Sequence, residues 1–407
     1  MIKDLIKHPT KGLFYIIFSL NILIYGLVYF FPISNFGEPT IPFFLKLGLD
    51  FLFLAFFFVY GTKFFFSEAQ VLYFIFLIFV ICIGFIHMFH TGVNEYIHYS
   101  IRNTVFYGFF LFVNIFPRID FKIFEKLHKN IFLFVLAFGL FLFAMKTLNI
   151  ANPFPFKNWM WEKNRLISTW FNPNSLGFYM MFYLIYYYYY SKNRITFISL
   201  LIIFTIFLTG SLTAILGVIL FLGYIGIVFL TKKKIKLKLL LIAASVFPFI
   251  LYLGFYFGIF EYVFFKIDIL FVQKSKIHTS VSTRTQNFYD LFNYLRLDNI
   301  HSILFGDFNT KTYTRLDSQY LNIFYNYGLL TLSLYLLFLM SLINAFFKGC
   351  SIYSKTLLLF SLWLFLFGFN LTAYFYRSNV LVFYFTILTY MFHYEKQIKL
   401  KKIHEKE

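Results

Sequence analysis

Long apolar runs separated by short polar stretches recur along the whole chain. They lie near residues 12–31, 43–61, 70–90, 98–116, 130–147, 172–190, 195–209, 212–230, 239–258, 319–341, 356–375 and 379–393. Most hold about 16 to 22 residues, and a helix of about 20 residues covers the ~30 Å hydrocarbon core of a bilayer. The pattern predicts an all-α, polytopic integral membrane protein with about twelve transmembrane helices. Residues 1–407 then form a single membrane domain. The first run is of full span length and lacks a small-residue cleavage site, so it reads as an anchor and not a removable signal.

Polar patterning picks out two longer connections, 148–171 and 259–318. Segments of that length in a compact membrane protein are usually functional. Within the second, Thr283-Arg-Thr-Gln286 has the form of a capping box, followed by Phe288, Leu291, Phe292 and Leu295 at helical spacing. This predicts a short amphipathic helix on the membrane surface, with Arg284 in its first turn. Beyond it lie Gly306-Asp307-Phe-Asn309, a turn sequence, and Arg315-Leu-Asp317-Ser-Gln319 at the mouth of the tenth span.

Composition sharpens the class. Apolar residues make up 60% and charged residues 13%, with 66 Phe and 32 Tyr, which excludes a soluble domain of this length. The net charge of +19 is not a nucleic-acid signature, because of where the lysines fall. Lys3/Lys7/Lys11, Lys122/Lys126/Lys129, Lys232 to Lys238 and Lys396 to Lys402 all face one side if the spans alternate from an inside N-terminus. By the positive-inside rule that side is cytoplasmic, and both termini lie there. The excess also attracts anionic membrane lipids. Cys82 and Cys350 are too far apart in this topology to pair. The Tyr186–Tyr190 run at the inner end of the sixth span reads as an aromatic interface belt.

The arginines break the inside bias. Arg102, Arg165, Arg284, Arg315 and Arg377 fall on or near the outer face. A guanidinium binds phosphate oxygens through paired planar hydrogen bonds, which an ammonium does not. Each also has a plainer reading, as a snorkelling side chain or an ion pair. Arg165 opens the block Arg165-Leu-Ile-Ser-Thr-Trp-Phe-Asn-Pro-Asn-Ser-Leu-Gly177, where Asn172 suits an N-cap and Pro173 the first helical position. Asn174 then shares the aqueous edge with Arg165. Lys46 and Asp50, at i, i+4, read as a pair that neutralises itself or as groups near a substrate. The sequence has no Asp-X-Asp pair, zinc-type His/Cys spacing or phosphate-binding glycine loop. His87, His90, His278 and His301 read as polar filler. Neither metal nor cofactor is indicated.

Taken in order, these motifs resemble the O-antigen polymerases (Wzy) and O-antigen ligases of the bacterial inner membrane. The resemblance covers roughly residues 100–390. It rests on Arg165…Asn172-Pro-Asn174…Gly177, Leu208-Thr-Gly-Ser211, Arg284 in the long loop, and Asp317-Ser-Gln…Gly328-Leu-Leu-Thr331. Asp317 stands where ligases carry His, which favours the polymerase. Leu212 stands where many relatives carry Arg, so Ser211 is given no catalytic role.

The resemblance implies a glycosyltransferase that joins undecaprenyl-diphosphate-linked repeat units on the periplasmic face, in lipopolysaccharide or other surface-polysaccharide biosynthesis. Its substrate partner would be the undecaprenyl-diphosphate-linked oligosaccharide, with membrane lipids around it and a chain-length regulator as a further partner. Asp317 is then the expected catalytic base. Arg165, Arg284, Arg315, Arg102 and Arg377 are expected on the diphosphate, with Asn172 and Asn174 in support. The alternatives are an O-antigen ligase and a lipid-linked oligosaccharide flippase or transporter, the latter disfavoured by the lack of a repeat between the halves. Reporter fusions after Lys238 and at the C-terminus are expected to read cytoplasmic, and fusions near Lys157 and Asp307 external. An external reading after Lys238 would overturn the span count.

Overall fold

A backbone in lipid satisfies its polar groups only as helices or as a closed barrel. In this computed structural model every regular element among the described residues is a helix. The structure describes residues 68–91, 121–148, 165–166, 168, 170, 173–231, 300–306, 318–368 and 378–404, with isolated positions at 15–23, 48–55, 252 and 256. The helices are α1 (Glu68–Thr91), α2 (Phe121–Thr147), α3 (Pro173–Tyr190), α4 (Phe197–Thr209), α5 (Leu212–Thr231), α6 (Ile300–Phe305), α7 (Gln319–Phe347), α8 (Ile352–Trp363) and α9 (Ser378–His404). A π-helical turn, Leu364–Gly368, continues α8.

Among the described residues three helices are long and apolar enough to cross a membrane: Glu68–His90, Lys122–Thr147 and Gln319–Phe347. At 1.5 Å per residue they measure about 35 to 44 Å. α4 falls at the expected seventh span but holds only 13 residues, about 20 Å. Most of the expected first, second, fourth and ninth spans, and of the 148–171 and 259–318 connections, lies outside the described residues, as does the helix expected over 283–295. α6 is a helix in the long connection that the periodicity did not indicate. α7 and α9 run past the expected ends of their spans, to Phe347 and His404.

The chain divides into two compact units. The first comprises Met1–Ile24, Ile41–Ile131 and Ser280–Glu407. Within it α1 and α7 run antiparallel, since Tyr73 meets Phe338 at 4.7 Å while Phe76 meets Tyr335 at 5.3 Å between ring centroids. Tyr73 also reaches Phe385 of α9, at 5.4 Å. α8 joins α9 through Tyr353–Tyr390 at 4.7 Å and a 3.0 Å hydrogen bond between Ser361 Oγ and Tyr384 Oη. On α1 the buried Tyr73, Phe76, Val80 and Ile83 oppose an exposed stripe of Phe74, Ile78, Phe85, Ile86 and Phe89. A helix apolar on every side fits a lipid surface and not an aqueous one.

At the far end of the first unit, α8 begins against a carboxylate. Glu395 lies just beyond the expected end of the twelfth span and accepts from Ser351 N at 2.7 Å, Cys350 N at 3.2 Å and Ser354 Oγ at 2.5 Å. A negative charge is favourable at a helix N-terminus, where the first N–H groups have no intrahelical partner. Gly349 permits the approach, because a Cβ there would overlap the Ser354 side chain. Burial alone would raise the carboxyl, but the hydrogen bonds from Ser351, Ser354 and Cys350 outweigh it and hold it below its ordinary value.

The second unit comprises Tyr25–Thr40 and Phe132–Thr279. Its centre is α3, buried along almost its whole length. Phe132 stacks on Tyr183 at 4.0 Å, Trp170 packs on Tyr179 at 4.5 Å, and Phe221 of α5 meets Tyr188 at 5.4 Å. The tyrosine run is therefore largely internal. Tyr186, Tyr187 and Tyr188 are buried, and the half-exposed Tyr190 is the member placed as an interface belt would require. A reciprocal capping box between Thr196 and Ser199 starts α4.

Because the folded Glu395 carboxyl titrates below its unfolded value, its stabilisation is complete above about pH 4.3. It is lost as pH falls through the lower folded value. The wild-type thermal midpoint in detergent is expected to drop between pH 6 and pH 3.5 by more than that of Glu395→Gln. Parallel curves would remove the carboxylate from the account.

Candidate functional site

In the second unit the break between α4 and α5 is where separate motifs meet. α4 ends because Gly210 takes a left-handed conformation (φ 59°, ψ 24°) and its N–H returns to Phe207 O. Such a turn leaves the last carbonyls of the helix without intrahelical donors. Arg165 supplies them: its Nε donates to Thr209 O at 2.7 Å and its Nη2 to Gly210 O at 3.2 Å. The side chain is only 8% exposed. Its charge also suits the negative end of the α4 dipole.

The residues around Arg165 hold it there. Leu166 N donates to Leu208 O at 2.8 Å, and Ser168 Oγ to Val135 O at 2.6 Å. These residues lie between α2 and the end of α4, with Leu166 and Ser168 against Gly139. The end of the 148–171 connection is thus part of the packed interior of this unit. Pro173 is the first residue of α3, the position its fixed φ favours. Asn174 is half-buried in the same turn.

One turn further on, Gly177 meets the Thr-Gly-Ser corner. A Cβ on Gly177 would lie 2.8 Å from Ala214 Cβ and 3.3 Å from Ser211 Oγ. Ser211 is fully buried, and its Oγ has no hydrogen-bond partner among the described residues. The Arg165–Gly177 and Leu208–Ser211 blocks, some 40 residues apart in sequence, therefore form one corner. It has a guanidinium, two helix-end carbonyls, a buried hydroxyl and a half-buried amide.

The first unit holds a second polar constellation. Ser318 caps α7, its Oγ accepting from Leu321 N at 3.4 Å. Gln319, Asn322 and Asn326 follow on one face of α7, all buried. Asn326 Nδ2 donates to Asn322 O at 2.9 Å. The helix then breaks at Gly328 (φ 79°, ψ 178°), a conformation essentially restricted to glycine. Thr331 Oγ1 donates to Tyr327 O at 2.8 Å beside the break. α6 lies across it, so a Cβ on Gly328 would overlap the Leu304 carbonyl, and one on Gly306 would come within 2.8 Å of the Asn326 carbonyl. The Gly328-Leu-Leu-Thr331 motif is a helix break shaped to admit another backbone.

Of the expected site residues, Arg165 and Asn174 fall among the described residues. Asp317, Arg284, Arg315, Arg102, Arg377 and Asn172 lie outside them. Asn322 and Asn326 were not singled out by their sequence, although amides at i, i+4 in an apolar helix are costly in a membrane and mark functional positions. Among the described residues no group of three His, Cys, Asp or Glu side chains is placed to hold a metal. Comparison with protein-family models, with curated proteins and with solved structures finds no match.

Two substitutions test these breaks. Gly328→Ala is expected to cost at least about 1–3 kcal/mol from backbone strain alone. This should appear as a lower thermal midpoint or loss of monodisperse protein. Arg165→Lys keeps the charge but loses the fork, and each hydrogen bond from a charged group is worth about 1.5–3 kcal/mol. A thermal midpoint unchanged from wild type would show that Arg165 does not cap α4.

Proposed function

We propose that this chain is a surface-polysaccharide (O-antigen) polymerase of the bacterial inner membrane, acting on undecaprenyl-diphosphate-linked repeat units at the periplasmic face. The observation that supports this reading is the meeting of the Arg165–Gly177 and Leu208–Ser211 blocks, the two parts of the family-like pattern that fall in the second unit. A motif pair that is distant in sequence and joined in space is more than coincident composition. The described residues are all helical in their regular elements, with three helices long and apolar enough to cross a membrane, which agrees with the reading.

In the reaction, an acceptor-sugar hydroxyl attacks the anomeric carbon of the growing chain. The new glycosidic C–O bond forms as the bond to the diphosphate breaks. Undecaprenyl diphosphate leaves, and the hydroxyl proton passes to a base. Cations stabilise the charge that develops on the leaving oxygen. Asp317 is the proposed base, and Arg165, Arg284, Arg315, Arg102 and Arg377 the proposed diphosphate partners, with Asn172 and Asn174 supporting. For Arg165 the role is shared, since at least two of its five N–H donors serve carbonyls.

Deleting the gene and resolving surface polysaccharide on a gel tests the reading. A lipid core bearing a single repeat is expected. A bare core with polymer still on its carrier would indicate a ligase, and units trapped inside would indicate a flippase. Asp317→Asn is expected to leave protein levels normal and lower chain elongation by about two to four orders of magnitude, the usual worth of general-base help. Asn caps a helix about as well as Asp, so a capping role would survive the change. Near-normal long chains from this variant would retire Asp317 as the base.

A further inference from the structure

One end of the first unit gathers lysines from three separate segments. The start of α2, the turn between α7 and α8, and the end of α9 are tied together there. Phe124 packs on Tyr390 at 4.9 Å, His128 Nε2 lies 3.0 Å from Tyr353 Oη, and Glu395 holds the first N–H groups of the α8 turn. Tyr353 meets Tyr394 at 6.0 Å. These contacts fill the interior of that end with rings and leave the charged positions outside. Lys126 on α2, Lys348 and Lys355 flanking the turn, and Lys399 on α9 are all exposed. None of these four ammonium groups forms an ion pair or hydrogen bond among the described residues. Lys122, Lys129 and Lys396 lie on the same segments.

Among the described residues, two of the three carboxylates of this end are engaged. Glu395 is buried in the α8 N-terminus, and Glu125 pairs with Lys129 at 2.8 Å. Glu68, opening α1 at the same end by the antiparallel register with α7, stays exposed. Basic charge therefore dominates a surface built from three segments. The Glu395 clamp fixes the level at which α9 leaves the bundle, and α9 continues as one helix to His404 through its lysines. The arrangement differs from a flexible basic tail, because its ammonium groups are held on packed helices at a fixed depth.

We propose that this end of the first unit is a binding site for anionic phospholipid headgroups, with Lys126, Lys348, Lys355 and Lys399 as its contacts. The inference rests on reading these helices as membrane spans. It does not depend on the polymerase reaction. A phospholipid is the occupant favoured here because the lysines stand at the ends of apolar, lipid-suited helices. The acyl chains can then lie along exposed side chains such as Leu337, Met340 and Phe347 of α7, while the headgroup meets the ammonium groups. Juxtamembrane lysines act on anionic lipid within about one Debye length of the surface.

Native mass spectrometry of the full-length protein, exchanged into mixed phosphatidylglycerol and phosphatidylcholine micelles, tests the site. The wild type is expected to retain phosphatidylglycerol preferentially. The preference should fall by about fivefold for each lysine removed in Lys126→Gln, Lys348→Gln, Lys355→Gln and Lys399→Gln combined. The matching Arg variants should keep it, and helical circular dichroism checks that all variants fold. Equal phosphatidylglycerol retention by wild type and the Gln variant would overturn the proposal. So would displacement of the lipid by millimolar inorganic phosphate, which would indicate a soluble anion site. Binding of polyglutamate by the wild type with no lipid preference would assign the surface to an acidic protein and also overturn it. Failure of the span reading would look different: the protein would leave the membrane fraction without detergent.

Discussion

A helix interrupted within lipid has to find its hydrogen-bond partners inside the protein, because lipid provides none. Three interruptions show three solutions. At the α4–α5 corner a guanidinium from a distant segment takes the two stranded carbonyls. At the break in α7, the Thr331 hydroxyl of the helix itself donates to the Tyr327 carbonyl. At the start of α8 a carboxylate from α9 accepts the stranded N–H groups. Charge sign follows the helix dipole in both cases where a charge is used, with the cation at a C-terminus and the anion at an N-terminus.

This constraint concentrates polar groups at a few points of an otherwise apolar molecule, and two of them, at Arg165 and at Gly328, coincide with the motifs that suggested chemistry. Arg165 is the sharpest example. Its burial and two carbonyl bonds explain why an arginine is needed there even without substrate, since a lysine cannot reach both oxygens with fixed geometry. The same fork remains chemically suited to phosphate. If the proposed function holds, structure and substrate binding are competing demands on one side chain, and activity loss at Arg165 would not by itself separate them. Asp317 carries the functional question more cleanly, because Ser318 is the residue that caps α7 through its side chain.

Close backbone approach is the second device. Gly177 lets α3 lie against Ser211 and Ala214, and Gly328 with Gly306 lets α6 cross the broken α7. Transmembrane helices gain little from hydrophobic burial against one another, since lipid tails are as apolar as their side chains. Contact area and polar links decide which helices associate. The stacked rings of Phe132, Tyr183, Tyr179 and Trp170 provide that area in the second unit.

Much of this was legible in the order of residues. Apolar run length indicated the helical class, and three described helices begin close to the expected starts of their spans: α3 at Pro173, α5 at Leu212 and α7 at Gln319. These are local properties, set by backbone sterics and by side chains within one turn. Local sequence did not reveal that Tyr186 to Tyr188 face inward. It also gave no sign that Glu395 caps α8 from 44 residues away, nor that Arg165 closes α4 from the same separation. A helical pattern records that a residue is apolar, but lipid and protein interior are equally apolar. Which face meets lipid, and which distant polar group answers each broken hydrogen bond, is decided only when the helices pack.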